Sequence, residues 1–115
     1  MKPLPFFIKG GTKMYLNKSD YLKFDGIDLD KELPDDDNAK GKVDRFLNEV
    51  ERFTIMELRK YGFSENMLNQ SNLQDFKYGL MYQVRHFLDK GRDGKLDPLA
   101  WQYLHQAGFI RAIRY

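Results

Sequence analysis

Two long segments of the chain carry apolar residues at the three-and-four spacing of an amphipathic helix. We predict one helix from about residue 36 to residue 60 and another from about residue 71 to residue 88. The first apolar stripe comprises Ala39, Val43, Phe46, Leu47, Val50 and Phe53. The second comprises Leu73, Phe76, Leu80, Met81, Val84, Phe87 and Leu88. Each stripe needs a partner to cover it, so the pattern predicts a helical bundle.

A short helix is predicted before the first long one. Asn17 can cap its N-terminus, and Asp20, three residues later, can complete a capping box. An acidic stretch follows, residues 25–37, and we predict an ordered surface loop pinned by Ile27, Leu29 and Leu33. Its last three aspartates, residues 35–37, suit the positive end of the following helix, although a bound cation is an alternative.

The last predicted helix has the clearest boundary signals. Asp97 is a good N-cap residue, and Pro98 occupies the favoured first helical position. Gly108 can take the left-handed conformation after the helix, which lets Phe109 pack back onto it. The fold class is therefore mostly α, a small bundle of about four helices with extended terminal arms.

Length and composition limit the remaining possibilities. A chain of 115 residues forms one small domain. We divide it into an N-terminal arm at residues 1–13, a helical domain at 14–108 and a tail at 109–115. There is no cysteine, which excludes a disulfide scaffold and thiolate chemistry. The opening residues lack the pattern of a signal peptide, and no apolar run reaches the roughly 18 residues that span a membrane.

The stretch at residues 89–100, DKGRDGKLDPLA, resembles a calcium-binding EF-hand loop in part. Asp89, Asp93 and Asp97 fall at loop positions one, five and nine, and a glycine falls at position six. Position three is glycine, however, and position twelve is alanine instead of the glutamate that closes the cage. We therefore predict a turn followed by a helix cap, with these three aspartates as weak metal-ligand candidates.

No set of residues predicts catalysis. His86 and His105 are the only histidines, and no serine lies in a nucleophile-elbow pattern. The chain also lacks a phosphate loop and a dinucleotide fingerprint. We expect neither enzyme activity nor a cofactor.

Two stretches together suggest a family. MYLNKSDYLKFDGIDLD and DPLAWQYLHQAGFIRAIRY resemble the opening and closing segments of the bacteriophage head–tail connector family, also called adaptor or head-completion proteins. The resemblance covers most of residues 14–115, as an order of elements. The acidic stretch at 25–37 and the arm at 1–13 depart from the family pattern.

The resemblance implies a structural role in the virion. Family members form a ring, typically dodecameric, beneath the portal protein, where they extend the DNA channel and dock a stopper or tail protein. The implied location is the head–tail junction, after assembly in the host cytoplasm, without a membrane and without sequence-specific DNA binding. The implied contact with the portal or a neighbouring copy is the tail, comprising Phe109, Ile110, Arg111, Ile113, Arg114 and Tyr115.

The charge distribution favours the connector function and leaves a second function as the alternative. The chain carries a net charge of +2, with −2 in residues 1–76 (12 basic, 14 acidic) and +4 in residues 77–115 (7 basic, 3 acidic). This mild asymmetry suits subunits that dock head to tail. A small helical nucleic-acid-binding or regulatory protein is the alternative, although the helix at 71–88 offers only Lys77 and Arg85 as basic residues.

Overall fold

The computed structural model describes residues 15–33 and 41–111. Over these ranges the chain forms five α-helices and one short 3-10 helix, and they contain no strand. The helices are α1 (Lys18–Asp25), α2 (Leu29–Glu32), α3 (Lys42–Arg59), α4 (Leu73–Lys90) and α5 (Pro98–Gln106), with the 3-10 helix at Glu65–Met67. The mostly α fold class is therefore confirmed.

Helix α4 is the centre of the bundle. It packs most extensively against α5 and next most against α3, while α2 contacts both α1 and α3. The predicted stripe of α4 is buried at Phe76, Leu80 and Val84, each with no exposed surface. Apolar burial on both of its sides makes α4 the element on which the others are positioned.

A glycine sets the contact between α4 and α5. A Cβ atom at Gly79 would lie 2.4 Å from a methyl carbon of Leu104 on α5. A larger residue at this position would displace the Leu104 side chain or the helices themselves. This explains a glycine inside a helix, where it costs about 1 kcal/mol relative to alanine. Leu104 itself has no exposed surface.

The predicted helix caps are confirmed where the structure describes them. The Asn17 side chain accepts from the backbone N–H of Asp20, and the Asp20 side chain accepts from the N–H of Asn17, at 2.9 and 3.2 Å. At α5, Asp97 accepts from the backbone N–H groups of Leu99 and Ala100. Both caps arise from residues within three positions of one another, which is why the sequence alone reveals them.

One helix boundary and one additional helix differ from the prediction. Helix α3 begins at Lys42 and not near residue 36, because Gly41 before it has a φ of 78°, a left-handed conformation that does not continue a helix. Residues 34–40, with the three predicted helix-start aspartates, lie outside the described residues. The acidic stretch also contains a helix that was not predicted, α2, whose first residue Leu29 is fully buried.

Candidate functional site

A histidine lies between two carboxylates at the join of α4 and the following loop. His86 is 5% exposed. Its Nδ1 lies 3.1 Å from Oδ1 of Asp97, and its Nε2 lies 2.9 and 3.0 Å from the two oxygens of Asp93. Each ring nitrogen of His86 therefore has a carboxylate partner within hydrogen-bond distance. The hydrogen bond between His86 and Asp93 holds the pKa of the Asp93 carboxyl below its usual range.

A glutamine fixes the same loop to α4. Gln83 is fully buried, and its Nε2 donates to the carbonyl oxygen of Lys95 at 3.0 Å. Its Oε1 accepts from the backbone N–H of Asp97 at 2.7 Å. Asp97 thus has one carboxylate oxygen on His86 and the other on the first turn of α5. Together these bonds fix where α5 starts relative to α4.

Two of the three aspartates predicted as weak metal ligands have these other partners. Asp93 and Asp97 both bind His86, while Asp89 is exposed near the end of α4. Within residues 15–33 and 41–111 there is no group of three or more His, Cys, Asp or Glu side chains arranged to hold a metal ion. The turn-and-cap interpretation of residues 89–100 is confirmed by the hydrogen bonds of Asp97.

Replacing Asp97 tests this junction. Asp97→Ala is expected to lower the free energy of unfolding by about 2 kcal/mol, because it removes the cap of α5 and one partner of the buried His86. Asp97→Asn keeps a good cap and should cost less than the alanine variant. Urea denaturation of both variants measures the difference. Equal losses would show that the cap contributes nothing.

Millimolar calcium is expected to leave the wild-type urea midpoint unchanged, whereas a calcium site would raise it.

The second buried polar centre is a glutamate beneath the start of the described chain. Glu51 on α3 is 1% exposed. Its two carboxylate oxygens accept from the backbone N–H of Tyr15, each at 3.0 Å, and one of them also accepts from the N–H of Leu16 at 2.8 Å. The Tyr15 hydroxyl donates to Glu65 at 2.8 Å. The Glu51 side chain therefore fixes the backbone that leads into α1.

Burial changes the acidity of this carboxyl group. Loss of contact with water raises the pKa of Glu51 to about 7, although the backbone donors of Leu16 and Tyr15 act in the opposite direction. A carboxyl that titrates near neutral pH is often catalytic. Here its oxygens are occupied by backbone donors, so the geometry is that of an anchor for the chain.

Neither polar centre was predicted from the sequence. Glu51 does occupy an apolar-stripe position, four residues from both Leu47 and Ile55, which are buried. That spacing was the only signal that this glutamate lies inside. His86 gave no signal, because its two partners reach it only through the conformation of the loop.

The tail prediction requires a correction. Phe109 and Ile110 were expected to contact a partner, but they are 1% and 7% exposed and belong to the core of the chain itself. The Phe109 ring packs edge-on against the rings of Phe63 and Phe76, with centroids 5.9 and 5.4 Å apart. The local capping signal explains this: Gly108 has a φ of 91°, which turns the chain so that Phe109 returns to the bundle.

The remaining tail residues divide between described and undescribed parts. Arg111 is exposed, and its backbone N–H donates to the carbonyl oxygen of Tyr61 at 2.8 Å. Ile113, Arg114 and Tyr115 lie outside the described residues. The structure thus fixes the point on the core from which the last residues of the tail depart.

Comparison with known proteins gives no relative. No family model, no curated protein and no solved structure matches this chain. Across the part of the chain that the structure describes, no helix is long and apolar enough to span a membrane. The resemblance to head–tail connectors therefore stays a prediction.

Proposed function

We propose that this chain is a structural subunit of the bacteriophage head–tail connector type. It forms a ring of like subunits beneath the portal protein, extends the DNA channel, and docks a stopper or tail protein. The proposal rests on one observation. Buried contacts anchor both ends of the described chain in the helical core. Glu51 holds the chain at Tyr15, and Phe109 holds it before Arg111.

Ends that are anchored in this way suit a subunit that joins its neighbours through short terminal segments. A segment that leaves a rigid core at a fixed point has a limited reach, so it selects partners at a defined distance and direction. Each contact in a ring is small, and closure of the ring multiplies its effect. On this proposal the portal or neighbour contact is made by Arg111, Ile113, Arg114 and Tyr115, without Phe109 and Ile110.

The basic residues of α4 favour this proposal over the nucleic-acid-binding alternative. The Lys77 ammonium lies 3.1 Å from a carboxylate oxygen of Asp20. The Arg85 guanidinium lies 3.7 Å from a carboxylate oxygen of Asp25. Cations that already face carboxylates have less charge to offer to phosphates. Binding to duplex DNA with a salt dependence of several charges would instead favour the alternative.

A variant of the tail tests the proposal. Ile113→Ser combined with Tyr115→Ser is expected to leave the helical circular dichroism signal unchanged and to reduce co-sedimentation with the matching portal ring at least about tenfold, since multivalent contacts amplify a local loss. Met56→Ser is a matched control, because Met56 lies on α3 and is 61% exposed. Co-sedimentation of the double variant at the wild-type level would contradict the proposed contact.

A further inference from the structure

Aromatic rings from three helices form a continuous band at the surface. We call it the aromatic band, and it consists of Phe24 on α1, Tyr78 and Tyr82 on α4, and Tyr103 on α5. The ring of Phe24 lies 5.1 Å from that of Tyr82, and the ring of Tyr103 lies 5.8 Å from Tyr78 and 6.1 Å from Tyr82, between centroids. Arg85 lies over one end, 5.3 Å from the centre of the Tyr82 ring.

A groove of about 200 Å³ lies between α4 and α5, next to the Tyr82 and Tyr103 rings of this band. Its lining residues are Tyr82, Leu99, Gln102, Tyr103 and Gln106. Leu99 is 50% exposed, and Tyr78 beside the groove is 37% exposed. These two side chains leave apolar surface beside the groove that another segment can cover.

The lining predicts what kind of segment fits. The faces of tyrosine rings pack well against proline rings, and aromatic-lined grooves recognise proline-containing extended chains. Such chains have no internal hydrogen bonds, so their carbonyl groups need donors from outside. Gln102 and Gln106 lie one helical turn apart on α5 and supply amide groups for this purpose. The groove therefore suits an extended apolar segment that contains proline.

The chain itself contains such a segment at residues 3–8, PLPFFI, outside the described residues. The described chain begins at Tyr15, whose ring packs edge-on against Phe76 of α4 with centroids 5.4 Å apart. Phe76 precedes Tyr82 by six residues, which is about 9 Å along a helix. Residues 3 and 8 lie twelve and seven residues before Tyr15, so an extended chain brings them up to about 40 and 23 Å away. The groove is within reach.

We propose that residues 3–8 dock in this groove of their own chain and cover Leu99 and Tyr78. Attachment through a short connection gives the segment an effective concentration in the millimolar range, far above that of a second copy in dilute solution. Of the covered side chains, Tyr78 belongs to the aromatic band and Leu99 lines the groove. This inference does not depend on the proposed function.

Engineered disulfide formation tests the docking in the full-length chain, which has no natural cysteine. Phe6→Cys is combined with Gln106→Cys in the groove, or with Met56→Cys on α3 as the matched control. We expect the first pair to form an intrachain disulfide at least about tenfold faster than the second, because docking raises the local concentration at the groove. Intact mass under non-reducing conditions separates intrachain from interchain products. Equal rates for the two pairs would overturn the proposal, as would disulfide-linked dimers as the main product of the first pair.

A second comparison separates docking from accidental encounter. In the Phe6→Cys, Gln106→Cys chain, Leu99→Ser removes apolar surface from the groove at an exposed position. Its disulfide is then expected to form several-fold more slowly, approaching the rate of the Met56→Cys control pair. Met56→Ser in the same background should leave the rate unchanged. An unchanged rate in the Leu99→Ser chain would overturn the proposal.

Discussion

Phe109→Ala is expected to destabilise the domain by about 3–5 kcal/mol, the usual cost of truncating a fully buried phenylalanine. Phe109 is 1% exposed and packs against the rings of Phe63 and Phe76. Removal of its ring leaves a cavity where α4, the 3-10 helix region and the end of α5 meet. Because small domains have only about 5–15 kcal/mol of stability, the substitution should remove a large fraction of it.

Urea denaturation followed by circular dichroism measures this loss. Leu22→Ala is the control, because Leu22 is 48% exposed and its truncation should cost less than about 0.5 kcal/mol. A Phe109→Ala chain with wild-type stability that no longer binds its partner would contradict the structure. That outcome would restore Phe109 as an exposed contact, as the tail composition alone suggested.

Glu51→Gln is expected to lower the free energy of unfolding by about 1–3 kcal/mol at mildly acidic pH. The glutamate accepts backbone hydrogen bonds through both oxygens, from Tyr15 and Leu16. Glutamine has only one oxygen, so its NH2 group would replace the oxygen that accepts only from Tyr15 and would face that backbone N–H donor to donor. Glu57→Gln on the same helix is the control, since Glu57 pairs with Lys60 at the surface.

The same variant should change how stability depends on pH. Burial raises the pKa of Glu51 from 4.5 to about 7, so protonation is favoured in the folded state. The corresponding stability is fully present below pH 4.5 and is lost as the pH rises through about 7. A shift of this size corresponds to about 3 kcal/mol, at roughly 1.4 kcal/mol per pKa unit. The advantage of wild type over Glu51→Gln should therefore shrink between pH 5 and pH 8, as urea midpoints at each pH would reveal. A constant difference would contradict the raised pKa.

The parts of the fold that the sequence predicted are those fixed by near neighbours along the chain. The cap of α1 by Asn17, the cap of α5 by Asp97 and the turn at Gly108 each depend on residues a few positions apart. Helix α2 was not predicted because it has only four residues within an acidic stretch, and it is stabilised by the burial of Leu29.

The polar centres could not be predicted because their partners come together only in the folded chain. Glu51 binds a backbone 36 residues away, and nothing near it indicates that partner. The tail shows two signals in conflict. Its strand-forming composition predicted an exposed contact, whereas the capping rule predicted that Phe109 packs back, and the capping rule is the one confirmed. Burial in an aromatic cluster outweighed β-propensity, which depends strongly on context.

The most direct test of the proposed function is the native mass of this protein, alone and mixed with the matching portal ring, with negative-stain images of any large species. The connector proposal predicts that many copies join the portal as a closed ring coaxial with it. A protein that does not bind the portal ring even at high protein concentration would contradict the proposal.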